Sequence, residues 1–168
     1  MQRVCIALAD ATRARFYTFQ QLDSRPGRRT QEVTGRVDLV NLERRGRPDQ
    51  AARIDRAFPG RRGPTTEDAR LHELDRRFAV DIVSELTRLV RSSGCSRLIL
   101  AATPAMLGVL RKVAGPLLSR GLQVDEVDRD LTRCTAHQVH EYLAARGLLP
   151  GDESAAGARP LLEASARG

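Results

Sequence analysis

The chain has 168 residues, a hydrophobic fraction of 41% and a formal net charge of +7, and this length suits one domain that buries its core without disulfides or metals. Aromatic residues make up only 4% of the chain and tryptophan is absent, which argues against a stacking surface for single-stranded bases. No stretch reaches the roughly 18 apolar residues that span a bilayer, and the N-terminus lacks the apolar core of a signal peptide, so we expect a cytoplasmic protein.

The first part of the chain predicts three strands. Residues 3–9 form an almost continuous apolar run, which is typical of a buried strand, and the run FYTF at 16–19 is rich in strand-forming residues. Asp10 stands in the turn between these two strands, where its carboxylate can accept hydrogen bonds from local backbone amides. After a polar stretch, a third strand is expected at about 33–42.

Residues 43–65 predict an exposed basic loop. Glycine and proline recur through this segment and large apolar residues are few, so it can bury little surface. Between Arg25 and Arg62 the chain has eleven arginines and five acidic residues, which accounts for +6 of the net charge of +7. Arginine binds phosphate groups in a two-pronged manner. The loop arginines that we expect to contact nucleic acid are Arg44, Arg45, Arg47, Arg53, Arg56, Arg61 and Arg62.

The second half of the chain predicts three helices that alternate with two strands. A long amphipathic helix begins with Thr65 as its N-cap, repeats apolar residues at steps of three and four, and ends at Gly94. The two later helices carry N-cap threonines, Thr103 followed by proline and Thr135 in a capping box. Two short apolar runs predict the strands, at 96–102 and at 122–127.

This order of elements predicts an α/β domain. Three strands are followed by helix, strand, helix, strand and helix, so we expect a mixed sheet of about five strands with helices packed on it. The domain is expected to cover residues 1–147, with 43–65 as its exposed loop. The small and polar residues of 148–168 predict a flexible C-terminal tail.

Four blocks of sequence, taken in order, resemble the bacterial family of proteins required for attachment to host cells. The blocks are ALADATRARFY (7–17), TTEDARLHELDRRFAVDIVSEL (65–86), RLILAATPAMLGVLRKV (97–113) and VDRDLTRCTAHQVHEYL (127–143). That family is in turn similar to the middle domain of archaeal and eukaryotic peptide-chain release factors and Pelota. The resemblance implies a topology related to ribonuclease H and work at the ribosome, whereas the family's name implies adhesion to a host.

The release-factor domain carries a Gly-Gly-Gln motif in the loop that matches residues 43–65. Here Gly46, Gly60 and Gly63 form no adjacent pair, and the only glutamine of the loop is Gln50. Peptide release is therefore not implied for this chain, and no cofactor is expected. The resemblance implies only an arginine-rich loop held at the same edge of a similar scaffold.

Three functions fit these features. The first is a non-catalytic RNA-binding or ribosome-associated module whose basic loop contacts phosphates regardless of sequence; a solvated connector explains the same residues equally well. The second is a protein-interaction factor in attachment to a host or surface. The third is a metal-dependent phosphoryl hydrolase, in which Asp10 would meet carboxylates near the last strand. Those carboxylates are Asp125, Glu126, Asp128 and Asp130. The alternative is that Asp10 only stabilises its turn, while the other four are solvated or cap helices.

The histidines and cysteines carry weaker signals. His137, His140 and Glu141 have a spacing that can reach a metal from one helix, but no distant third ligand is evident, so a solvent-facing helix surface is favoured. The three cysteines form no C-x-x-C pair, so neither a zinc site nor a disulfide framework is expected. Cys5 and Cys134 have no evident activating partner and are expected to be inert. His72 is likewise expected at the surface.

Overall fold

The computed structural model describes residues 3–24, 28–42, 66–118 and 121–151. The strands are β1 (Arg3–Ala9), β2 (Arg13–Ser24), β3 (Arg28–Val40), β4 (Arg97–Ala102) and β5 (Gln123–Asp128). The helices are α1 (Thr66–Ser93), α2 (Pro104–Val113), α3 (Gly115–Leu118) and α4 (Ala136–Ala145). Within these ranges, no helix combines the length and the apolar character that crossing a bilayer requires.

The five strands form one mixed sheet in the order β3-β2-β1-β4-β5. β2 is antiparallel to both β1 and β3, while β4 lies parallel to β1 on its other side and β5 lies parallel to β4. In this register Ile6 is opposite Tyr17 on one side and Ile99 on the other. The predicted α/β domain with a mixed sheet of five strands is therefore confirmed.

The β2–β3 hairpin is longer than the sequence predicts. Strands are expected at 16–19 and at about 33–42, but β2 begins at Arg13 and β3 begins at Arg28. β2 pairs with β1 only as far as Gln20, and beyond that residue it pairs with β3 alone. Backbone pairing between two strands needs no apolar run, so the polar outer part of this ribbon carries no hydrophobic signal.

Helices pack on both faces of the sheet and give the domain three layers. Because side chains alternate along a strand, β1 contributes to two cores, one beneath α1 and α2 and the other beneath α4. The first core takes Cys5, Ala7 and Ala9, and the second takes Val4, Ile6 and Leu8. The predicted apolar stripe of α1 is buried as expected, through Leu71, Leu74, Phe78, Ile82, Leu86 and Leu89.

The helix boundaries follow from local capping. Thr103 accepts a hydrogen bond from the backbone amide three residues later, as predicted for the start of α2. Thr135 and Gln138 form the predicted capping box of α4. Gly94 follows α1 with a φ of 63°, in the left-handed region that ends many helices. The predicted N-cap Thr65 lies outside the described residues.

The packed chain continues beyond Gly147, where the sequence predicts a tail. Leu149 is buried, and the carbonyl of Leu148 accepts a hydrogen bond of 2.9 Å from Arg97. The carbonyl of Pro150 accepts a hydrogen bond from the side chain of His140 on α4. Residues 148–150 therefore belong to the folded unit, because their leucine side chains pack against the core and two of their carbonyls accept hydrogen bonds. Residues 152–168 lie outside the described part of the chain.

Candidate functional site

Asp10 organises the turn between β1 and β2. Its Oδ1 accepts hydrogen bonds from the backbone amides of Thr12 (2.6 Å) and Arg13 (2.7 Å) and from the Thr12 hydroxyl (2.7 Å). Burial raises the pKa of Asp10, but the hydrogen bonds from Thr12, Arg13 and Thr132 lower it by more, so the pKa lies below its usual value. The carboxylate is therefore held in its charged form, as the sequence predicts for a residue that stabilises a turn.

Thr132 joins this turn to the loop between β5 and α4. Its hydroxyl lies 2.9 Å from Oδ2 of Asp10 and 2.6 Å from Oδ1 of Asp130, and Thr132 itself is fully buried. One hydroxyl has one hydrogen, so it donates to one carboxylate at a time. Arg15 of β2 holds the same loop by donating to the carbonyls of Thr132 (3.4 Å) and Cys134 (3.0 Å).

The Asp10 turn also fixes the end of β3. The backbone amide of Asn41 donates to the carbonyl of Thr12 at 2.8 Å, and the Asn41 side-chain amide donates to the carbonyl of Ala11 at 3.2 Å. Asn41 is largely buried. These two hydrogen bonds of Asn41 hold the chain between its neighbours Val40 and Leu42 against the turn.

An exposed apolar groove lies beside these residues. We call it the apolar groove; one wall is formed by residues 39–42 and the other by α1 between residues 74 and 85. Val40, Leu42 and Val80 line it and are 50%, 73% and 45% exposed. In the described part of the chain, these three are the exposed large hydrophobic residues. Charged residues of α1 flank the groove, among them Arg76, Arg77, Asp81 and Glu85.

The carboxylates of the hydrolase hypothesis do not converge on Asp10. Asp125 lies opposite Ile99 in the register of β4 and β5, in the middle of the strand and not at its end. It forms a salt bridge with Arg97 at 2.6 Å. Glu126 pairs with Arg111. Asp130 is the predicted residue that reaches the Asp10 turn, through Thr132. Among the described residues, no group of three or more histidine, cysteine or acidic side chains can hold a metal ion.

The prediction that His137 and His140 share a solvent-facing surface is wrong for His140. That ring is buried, stacks on Phe19 with 5.6 Å between centroids, and donates from Nε2 to the carbonyl of Pro150 at 3.0 Å. His137 is exposed and lies 3.4 Å from Glu141. His72 is exposed, as predicted. The two histidines of α4 thus face different environments and form no common site.

The remaining predicted residues divide into two groups. Cys5 is buried in the core and Cys134 is half-buried. The seven arginines assigned to nucleic-acid contact all fall in 43–65, which lies outside the described residues. The described chain stops at Leu42 on the apolar groove and resumes at Thr66, the first residue of the helix that forms the groove's other wall.

The sequence indicates the role of Asp10 in its turn, but it gives no indication of Thr132, Asn41 or the apolar groove. Thr132 meets Asp10 across 122 positions of the chain, a contact with no local sequence signal. The sequence does indicate that Val80 is exposed, because this apolar residue lies outside the stripe of α1 residues that face the core.

A family model described as "Protein required for attachment to host cells" matches residues 5–143. This chain belongs to that host-attachment family. The match includes the Asp10 turn, both walls of the apolar groove and the loop between β5 and α4. The release-factor similarity implied by the sequence blocks has no counterpart in this match. No curated protein matches this host-attachment protein.

Solved structures give a remote likeness for the host-attachment protein. The Ppx/GppA enzyme of Aquifex aeolicus matches with 16% identity and a TM-score of 0.44, over 75% of this chain and 36% of that chain. A second structure of that Aquifex aeolicus family member matches with 14% identity and a TM-score of 0.40, over 75% and 35%. The host-attachment protein thus spans about a third of those chains. Likeness at this level assigns neither topology nor activity.

Proposed function

We propose that this host-attachment protein acts as a protein-interaction factor, and that the apolar groove binds an apolar segment of its partner. One observation carries the proposal: the exposed large hydrophobic side chains of the described chain, Val40, Leu42 and Val80, all line the same groove. Exposed apolar patches with a polar rim mark sites of protein association. Membership of the host-attachment family supports a role in attachment.

The chemistry of the groove suits a protein partner. Covering these three partly exposed side chains contributes about 1–2 kcal/mol each, because burial of a whole aliphatic side chain contributes about 1.5–3 kcal/mol. The rim carries both signs of charge, with Arg76 and Arg77 paired to Glu73 at 3.2 Å and 3.1 Å. An apolar centre surrounded by polar and charged residues is the usual composition of a protein interface.

Both walls of the groove are held by contacts with the rest of the domain. Its first wall is held by Asn41, which is bonded to the Asp10 turn, and its second wall is a helix of 28 residues packed on the sheet. A preformed surface loses little conformational entropy on binding. We therefore assign Asp10, Thr12 and Asn41 to positioning the groove and not to chemistry.

The proposal is tested by photo-crosslinking in cells. A photoreactive phenylalanine replaces Val80 in the groove, and in a control it replaces His137, which is exposed on α4 on the opposite face of the sheet. We expect a discrete protein adduct from position 80, its loss when Leu42→Asp is added, and no such adduct from position 137. The same adduct from both positions, or one that survives Leu42→Asp, would contradict the proposal.

A second function, RNA binding through residues 43–65 in a release-factor-like module, is favoured by the charge distribution. The segment between Arg25 and Arg62 holds +6 of the net charge of +7. β3 is an edge strand of the sheet, and the described chain stops at Leu42, two residues after β3 ends. Three antiparallel strands followed by two parallel ones also support the release-factor and ribonuclease-H type of topology.

RNA binding is tested by mobility shift with ribosomal RNA at rising salt. Each phosphate contact contributes roughly −0.7 to the slope of log affinity against log salt for single strands. We expect Arg61→Ala with Arg62→Ala to weaken binding to all RNA sequences alike and to reduce that slope. Unchanged affinity and slope in this double variant would contradict RNA binding by the loop.

A further inference from the structure

Two arginines stack on one tyrosine on the α4 side of the sheet. The guanidinium carbon of Arg146 lies 4.7 Å from the ring centroid of Tyr142, and that of Arg129 lies 5.7 Å from it. Arg129 follows β5, whereas Arg146 is the C-cap residue of α4. Two positive charges from separate elements are thus brought to one aromatic ring. We call these three residues the Arg–Tyr–Arg cluster.

The two charges of this cluster have no carboxylate partner in the described part of the chain. The acidic residues nearest in sequence are engaged elsewhere: Asp130 accepts from Thr132, and Glu141 faces His137. Asp128 lies within electrostatic range of Arg111. Both arginines are exposed. The cluster is therefore an un-neutralised patch of two guanidinium groups.

We propose that the Arg–Tyr–Arg cluster is a binding site for a phosphate group, carried by a small molecule or by an RNA backbone. A phosphate monoester bears a charge of about −1.5 to −2 at neutral pH, which two arginines match, and each phosphodiester of an RNA backbone bears one negative charge. A guanidinium stacked on a ring keeps its N–H edge free, and it binds phosphate through two parallel hydrogen bonds. Stacking on Tyr142 holds both groups before the ligand arrives.

Tyr142 carries a polar group that its stacking with the two arginines does not need. Its hydroxyl is buried and has no hydrogen-bond partner among the described residues. Phenylalanine would stack as well without this unpaired group, so packing alone does not account for the tyrosine. The hydroxyl is covered by the protein, so a bound phosphate is contacted by the N–H groups of the two exposed arginines.

The cluster is independent of the apolar groove and of residues 43–65. α4 packs on one face of the sheet, whereas α1, which forms a wall of the groove, packs on the other. A result that contradicts the proposed protein interaction therefore does not contradict the phosphate site, and a result that contradicts the phosphate site does not contradict the protein interaction.

The site is tested by NMR on the full chain in a phosphate-free, low-salt buffer. Pyrophosphate and a short single-stranded RNA are titrated separately, while the side-chain Nε–Hε signals of Arg129 and Arg146 are followed. We expect saturable shifts of both signals. The double variant Arg129→Gln with Arg146→Gln lacks these signals, so its affinity, like that of the parent for comparison, is read from the backbone amide signals of residues 129, 142 and 146. We expect the affinity to fall at least roughly tenfold, because two hydrogen bonds to a charged phosphate are lost. Arg91→Gln on α1 is the matched control and should bind as the parent does.

The two titrations separate the sources of the phosphate. Shifts with pyrophosphate identify a small phosphate-bearing ligand, and shifts with RNA alone identify a backbone contact; both results support the site. If neither ligand shifts the Arg129 and Arg146 signals, or if the double variant binds as tightly as Arg91→Gln, the proposal is overturned. The wild-type titration decides the matter even if the double variant fails to fold.

Discussion

Asp10 connects three separate segments through a single carboxylate. It accepts hydrogen bonds from backbone amides of its own turn and lies within hydrogen-bond distance of the Thr132 hydroxyl in the β5–α4 loop. The turn that it stabilises in turn accepts a hydrogen bond from Asn41, just after β3. Because the hydrogen bonds to the carboxylate lower the pKa of Asp10, the charged form is favoured in the folded protein. The residue therefore stabilises the fold through its charge.

We expect Asp10→Asn to reduce the free energy of unfolding at neutral pH by about 2 kcal/mol, because asparagine keeps one acceptor oxygen but removes the charge that strengthens the hydrogen bonds from Thr12, Arg13 and Thr132. The pKa of Asp10 is lowered in the folded state from a reference of 3.8. Its contribution is thus fully present above that pH and is lost as the pH falls through the folded value. Urea unfolding of parent and variant from pH 7 to pH 2 measures this, and a stability difference that does not shrink in acid would contradict it.

The cap of α4 determines where the helix of the Arg–Tyr–Arg cluster begins. Thr135 accepts from the amide of Gln138 at 3.3 Å, and the Gln138 side chain accepts from the amide of Thr135 at 2.9 Å. We expect Thr135→Ala to cost about 1 kcal/mol of unfolding free energy. Thr87→Ala is the control, since the Thr87 hydroxyl bonds a carbonyl within α1 and caps nothing. Equal losses in thermal unfolding would show that the cap is unimportant.

Elements with a local cause were predictable from the sequence, whereas contacts between distant residues were not. β1, the stripe of α1 and the caps at Thr103 and Thr135 follow from patterns within a few residues. The burial of His140 depends on Phe19 and Pro150, which lie on other segments, so a helical pattern could not reveal it. The apolar groove likewise arises only when the end of β3 meets α1.

At the scale of the whole molecule, apolar residues of the core and of the apolar groove contribute differently to the free energy of unfolding. Ile6 and Ile99 are fully buried and adjacent on the two central parallel strands. We expect Ile99→Ala to cost about 2–5 kcal/mol, whereas Val80→Ala should change stability by less than about 0.5 kcal/mol. Denaturant unfolding of both variants checks this difference. A large loss from Val80→Ala would mean that the groove residue serves the fold.

The most direct test of the protein-interaction account is an attachment measurement. Cells that lack the protein are complemented with the parent, with Val80→Asp combined with Leu42→Asp, or with Arg61→Ala combined with Arg62→Ala, and their attachment to host cells is counted at matched protein levels. The account predicts that the groove variant, folded as judged by its unfolding midpoint, loses attachment while the arginine variant keeps it. Normal attachment by the folded groove variant would contradict the account.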